Sequence, residues 1–187
     1  MFWAACSLGY FGFLRASEFT VPNLPSFSLS LHLGVQDISV DSPSAPSCMR
    51  VRIKGSKTDP FRKGCFIHIG GCFIHIGVGR CPLCAVRAVT NYLVLRGDAP
   101  GPLFLLQNGQ PLSRNILTDW LQQIMASARV PGNFSSNSFR IGAATVAVGN
   151  GVPDHLIQSM GRWSSNAYQL YIRTPPEALA ALSIKLA

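Results

Sequence analysis

A chain of 187 residues, nearly half of them apolar, can bury one good core and sits inside the usual size of a single domain. Sixteen Lys and Arg against eight Asp and Glu give a formal charge of +8. Twelve of those sixteen are arginines, whose planar fork matches phosphate oxygens in pairs, so the balance favours polyanionic partners and nucleic acid in particular.

The chain opens on an apolar stretch, Phe2 to Leu14. No basic residue precedes it and no small-residue cleavage site follows, which argues against a signal peptide, and it is too short to span a bilayer. A buried first helix is expected instead, with Trp3, Leu8, Phe11 and Leu14 near helical spacing. An opening with no polar lead-in suggests a fragment, or one domain of something longer.

Arg15 to Phe19 follow as a charged link, and Pro22 and Pro25 stop any helix. From Phe27 to Ile76 the pattern is strand-like, with Leu31, Leu33, Val35, Val51 and Ile53 alternating with polar residues around a Ser/Pro-rich loop from Asp41 to Ser47. This predicts a small antiparallel sheet. Gly55 to Pro60 reads as a turn, which puts Lys57 at or near a hairpin tip. Residues 64–70 and 71–77 are one heptapeptide written twice, too short a period to build an architecture.

After Pro82 the chain reads as helical. Leu83 to Arg96 closes at Gly97, and Leu103 to Leu106 leads into an Asn108-Gly109 turn. Ser113 then begins a helix with Ile116, Leu117, Trp120, Leu121, Ile124 and Met125 on one face. Ser138 to Asn150 closes at Gly151, and a short helix follows with Pro153 in its first turn and Gly161 past its end. A further short helix carries Tyr168 and Tyr171, and Pro176 to Ala187 is apolar and helix-prone.

The basic residue that demands an explanation is Arg140, in the first turn of its predicted helix. A helix N-terminus already carries partial positive charge, so a cation there points to an anion sharing the site. Taken in order, Leu14-Arg15-Ala16-Ser17-Glu18, Ser56-Lys57-Thr58-Asp59, Asn137-Ser138-Phe139-Arg140, Gly161-Arg162-Trp163 and Gln169-Leu170-Tyr171-Ile172-Arg173 resemble the boxes of the tyrosine recombinases. The resemblance covers nearly the whole chain and is strongest to recombinases of DIRS- and Crypton-type mobile elements.

The resemblance implies an α+β fold, mainly helical with a small antiparallel sheet, over residues 1–187. It implies a nuclear, integrase-like enzyme of DNA recombination and DNA integration, working without a cofactor on double-stranded DNA. Tyr171 would attack a backbone phosphate to form a 3′-phosphotyrosine, and Lys57 would protonate the departing 5′ oxygen. Arg15 and Arg140 would hold the phosphate, and Trp163 would donate its indole N–H to it. Arg162 would add a DNA contact, and Glu18 would be structural support.

Asn137 stands where the family has histidine and cannot take a proton at neutral pH, so impaired cleavage with DNA binding retained is expected. His155 does not replace it. The family's N-terminal clamping domain has no counterpart here, and the terminal segment with Leu179, Leu182, Ile184 and Leu186 resembles the helix that such enzymes dock on a neighbouring protomer, implying a homo-oligomer on DNA.

Two alternatives compete. A decayed or co-opted DNA-binding module would account for Asn137 and for the duplicated heptapeptide. A zinc site would use Cys65, His68, Cys72, His75, Cys81 and Cys84, but four of these six arise by copying, and Cys65 and His68 point to opposite faces of an alternating strand.

Overall fold

In a computed structural model, the structure describes residues 1–54, 64–70, 83–165, 169 and 172. It is mainly helical with one small antiparallel sheet. Helix α1 (Phe2–Phe11) and the single turn α2 (Ala16–Phe19) come first, then strands β1 (Ile38–Val40), β2 (Cys48–Ile53) and β3 (Cys65–Gly70). Helices α3 (Ala85–Arg96), α4 (Arg114–Ser127), α5 (Ser138–Gly149) and α6 (Asp154–Gly161) follow.

α1 is the central helix. Ala4, Ala5, Cys6, Ser7, Leu8 and Gly9 are all buried, so the apolar run is enclosed on most sides by α2, α3 and α5. Small residues permit this approach: a Cβ on Gly9 would stand 3.2 Å from the Phe19 ring. Trp3, expected inside, is 50% exposed. The inward positions went to small residues because close backbone approach leaves no room there for an indole.

The sheet has the order β1-β2-β3, with Val51 paired to Ile38 on one side and to Ile67 on the other. Met49, Val51 and Ile53 point inward and are buried, alternating with exposed Arg50 and Arg52. They join Leu8, Leu14, Val86, Val89, Phe104 and Leu117 in the main core. Leu31, Leu33 and Val35 do not extend the sheet as expected: this stretch is a turn leading into a short 3-10 segment, with Leu31 exposed and only Leu33 buried. Its apolar alternation was real, but among the described residues it meets only the isolated bridge of Gly34 to Pro102 and not a strand.

The stretch after Pro82 is not wholly helical either. Between α3 and α4 the chain makes two isolated bridges, Gly34 to Pro102 and Leu105 to Pro111, and the Tyr92 hydroxyl donates to Leu103 O and accepts from Leu105 N. The Asn108-Gly109 turn lies between the bridged residues, with Gly109 at φ +78. The Ser113 hydroxyl caps α4 at Ile116 N, Gly97 closes α3 at φ +70, and Gly151 follows α5 at φ +72, all where the sequence places them. Gly161 is the last residue of α6 and not the residue beyond it; Arg162 takes the left-handed cap. No helix among the described residues is long and apolar enough to cross a membrane.

Candidate nucleic-acid site

Two helices end facing one another, and the candidate site is built on their ends. α1 closes in a left-handed turn at Phe13 (φ 51), where Leu14 N returns to Gly9 O and Phe13 N to Tyr10 O. α6 closes the same way at Arg162 (φ 55), with Trp163 N on Gln158 O and Arg162 N on Ser159 O. Both caps are of the glycine-preferring kind but carry side chains, a backbone cost found most often where a site requires it.

Helix C-termini present carbonyls and partial negative charge. Arg140, 2% exposed, joins these two: Nη1 donates to Phe13 O at 2.6 Å and Nη2 to Gly161 O at 2.5 Å. Its guanidinium carbon lies 4.0 Å from the Trp163 ring centroid, and Trp163 meets Phe13 edge-on at 6.3 Å. The cation in the first turn of α5 is thus met by the negative ends of α1 and α6. These carbonyls are partners of Arg140 that the residue pattern does not reveal.

Arg162 comes to the same place from α6. It donates from Nη1 to Gly12 O at 3.3 Å and Met160 O at 3.0 Å, and from Nη2 to Phe13 O at 3.3 Å and Glu18 Oε2 at 2.7 Å. Arg15 donates from Nη1 to Glu18 Oε1 at 3.0 Å, and its main-chain N–H reaches Glu18 Oε2 at 2.8 Å, capping α2. The Glu18 side chain, 2% exposed, therefore holds two arginines that lie far apart in sequence. Arg140 joins this pair through the Phe13 carbonyl, which it shares with Arg162, so among these residues three guanidiniums stand against one carboxylate.

The structure brings Arg15, Glu18, Arg140, Arg162 and Trp163 together. Of the two arginines paired with Glu18, Arg15 is the more open, its side chain 21% exposed against 11% for Arg162. Trp163 is buried beneath Arg140 in a second small core with Ala143, Ala144 and Ile157. Asn137, next to the first residue of α5, is exposed and takes a backbone bond from its own N–H to Ser135 Oγ at 3.4 Å. His155 is exposed on α6.

Lys57, Tyr168, Tyr171 and the segment from Pro176 lie outside the described residues, as do Cys72, His75 and Cys81. β2 and β3 flank the stretch that contains Lys57 and are antiparallel neighbours. Of the zinc candidates that are described, Cys65 packs toward the core while His68 is exposed on the other face of β3, so this pair cannot bind one ion together.

Sequence reasoning missed the carbonyls of Gly12, Phe13 and Gly161 and the role of Gly161. A Cβ on Gly161 would stand 1.6 Å from the Trp163 ring, so the glycine in Gly-Arg-Trp makes room for the indole to fold back over its own helix end. Only the two-residue spacing hinted at this.

No family model and no curated protein matches the chain. Solved structures do match. The site-specific recombinase XerH, in a post-cleavage complex with a palindromic difH substrate, superposes with a TM-score of 0.66 at 19% identity, covering 98% of this chain and 45% of that one. XerA recombinase gives 0.68 at 17% identity, covering 97% and 55%. The Tn1549 transposon integrase in complex with transposon right end DNA gives 0.62 at 14% identity, covering 98% and 58%. The chain therefore spans about half the length of the structures it matches, and it has the fold of the tyrosine recombinase catalytic domain.

Proposed function

We propose that residues 1–187 form a tyrosine recombinase catalytic domain that binds duplex DNA at the arginine cluster, by descent a nuclear, integrase-like strand transferase of a DIRS- or Crypton-type mobile element. One observation carries the reading: Arg15 and Arg162 pair with the single carboxylate of Glu18, while Arg140 and Arg162 both donate to Phe13 O at the end of α1, so three guanidiniums from remote segments lie in one place. A preorganised positive pocket of this kind is what a phosphodiester needs when charge builds on phosphorus. That the matching structures include recombinases solved on DNA supports the same reading.

In this proposal Arg15, the most open of the paired arginines, contacts the phosphate. Arg140 adds positive charge from below on its Trp163 platform, and Arg162 holds Glu18 so that Arg15 keeps its direction. Tyr171 attacks phosphorus and forms the 3′-phosphotyrosyl bond, the 5′ oxygen leaves, and Lys57 gives it a proton. A phenol has a pKa of ~10, so Tyr171 needs the cluster's charge to ionise near neutrality. Asn137, exposed beside the first turn of α5, can donate a hydrogen bond to phosphate but cannot act as a base. Cleavage is therefore reduced while DNA binding is kept, and oligomerisation on DNA goes through the terminal segment.

A suicide duplex that traps the covalent intermediate tests this. Asn137→His is expected to give more adduct than the unaltered chain, and Tyr171→Phe none. No gain from Asn137→His would remove the account of impaired cleavage. If duplex binding persists with no adduct in any variant, the chain is a DNA-binding module without strand transfer, the second reading that the exposed Asn137 favours.

A further inference from the structure

The outer face of the sheet is built differently from the inner one. Antiparallel pairing sets Arg50 between Ser39 and His68 and sets Arg52 beside Phe66, and all five residues are exposed. Neighbouring strands lie about 4.8 Å apart and alternate residues of one strand about 6.7 Å apart, so these side chains form a compact two-row patch. The Arg50 guanidinium carbon sits 4.9 Å from the Phe66 ring centroid, while Arg50 Nε donates to Ser39 Oγ at 3.3 Å. Phe66 nonetheless stays 55% exposed.

The carboxylates near this face are engaged elsewhere. Asp41, at the end of β1, accepts the amides of Ser47 and Cys48 at 2.8 and 2.9 Å and the Ser47 hydroxyl. Asp37 is buried and paired with Lys54 at 2.5 Å. Among the described residues, the strands' outer face therefore offers guanidiniums, an imidazole and a ring, with no carboxylate on it. It is also separate from the arginine cluster. Ile67, on the inner side of β3, lies against the end of α1, 2.9 Å from where a Gly12 Cβ would stand. The outer face is turned the other way.

A single exposed ring is ordinary, and so is a single surface arginine. A ring flanked by cations on an open sheet is the composition that holds unpaired nucleotides, because every base has a π-face and every linkage a phosphate. Bases in a duplex are hidden in their own stack, so Phe66 has nothing to add there. An acidic peptide would answer the arginines and leave the ring unused.

We propose that the outer sheet face of Arg50, Arg52, Phe66 and His68 is a second nucleic-acid surface, one that takes a single strand by stacking a base on Phe66 and seating phosphates on Arg50 and Arg52. The proposal is independent of strand transfer at the arginine cluster and stands whether or not that reading holds. Since all four side chains are exposed, their substitution leaves the fold intact, and thermal melts of the variants serve as the control.

The test is fluorescence anisotropy with a labelled oligo-dT single strand and, in parallel, a labelled hairpin duplex. Phe66→Ala is expected to weaken oligo-dT binding about fivefold or more and to leave duplex binding unchanged. Phe66→Leu, apolar but without a π-face, does not restore it. The Arg50→Ala, Arg52→Ala double variant lowers the slope of log K against log salt by about 1.4, the single-strand increment for two phosphates. The proposal is overturned by absence of oligo-dT binding at low salt, by Phe66→Ala binding oligo-dT like the unaltered chain, or by equal losses for single strand and duplex. Displacement of oligo-dT by an equal concentration of polyglutamate overturns it too, and assigns the face to an acidic protein segment.

Discussion

At the scale of single residues, Glu18 and Gly161 carry more of the site than their chemistry advertises. Glu18 neutralises part of two guanidiniums and caps α2 with the same carboxylate. Glu18→Ala leaves Arg15 and Arg162 facing one another without their anion. A loss of about 2–3 kcal/mol is expected in urea unfolding, below the upper range for buried pairs because Arg15 keeps access to water. Gly161→Ala has no space for its methyl unless the Trp163 indole moves out, which also strips Arg140 of its platform. The expected cost is at least about 1–3 kcal/mol, with a shift in tryptophan emission as Trp163 meets solvent. A variant with unchanged stability and emission would show that the indole does not lie where the structure has it.

Cys6, inside α1, gives a pH-dependent check at the same scale. Burial pushes its thiol up to about 12 from its ordinary 9.0. The folded state thus holds a proton that the unfolded state releases first, so the contribution to stability is complete below about pH 9 and is lost as pH rises toward 12. Cys6→Ala is expected to make the alkaline fall in melting temperature shallower across that window. An unchanged alkaline limb would contradict the burial of this thiol.

At the scale of elements, what was legible was whatever depends on local pattern. Ser113 as the cap of α4, Gly97 and Gly151 as helix ends, and the alternation of Met49, Val51 and Ile53 with Arg50 and Arg52 could all be read from residue types and spacing. What was not legible depends on what each face meets. The apolar stripe of α4 runs from Ile116 to Met125, yet only Leu117 and Leu121 are buried and Ile124 is 48% exposed. Leu117→Ala should accordingly cost about 2–5 kcal/mol and Ile124→Ala less than about 1 kcal/mol by chemical denaturation. Equal losses would mean that α4 is buried along its whole stripe. Trp3 and Leu31 teach the same lesson: apolar periodicity says which residues can be buried, and neighbours decide which of them are.

At the scale of the whole molecule, the order of the boxes along the chain announced the fold, and the structures it matches agree with that. The sequence did not show how the boxes are tied. Arg140 and Arg162 reach back across more than a hundred residues, to the Glu18 carboxylate and to the main-chain carbonyls of Gly12 and Phe13, and those carbonyls have no signature in residue identity. Those ties fasten α5 and α6 to the end of α1 and leave Arg15 as the most open of the paired arginines. Duplex binding is therefore expected to depend on salt and on Arg15 together.

The measurement closest to this claim is a salt titration of duplex binding for the unaltered chain and for Arg15→Ala, with melts to show that both are folded. The account predicts weaker binding by Arg15→Ala and a slope of log K against log salt smaller by about 0.9, the increment for one phosphate on duplex DNA. Identical affinity and identical slope in the two proteins would contradict it, leaving the arginine cluster as internal architecture with no part in holding DNA.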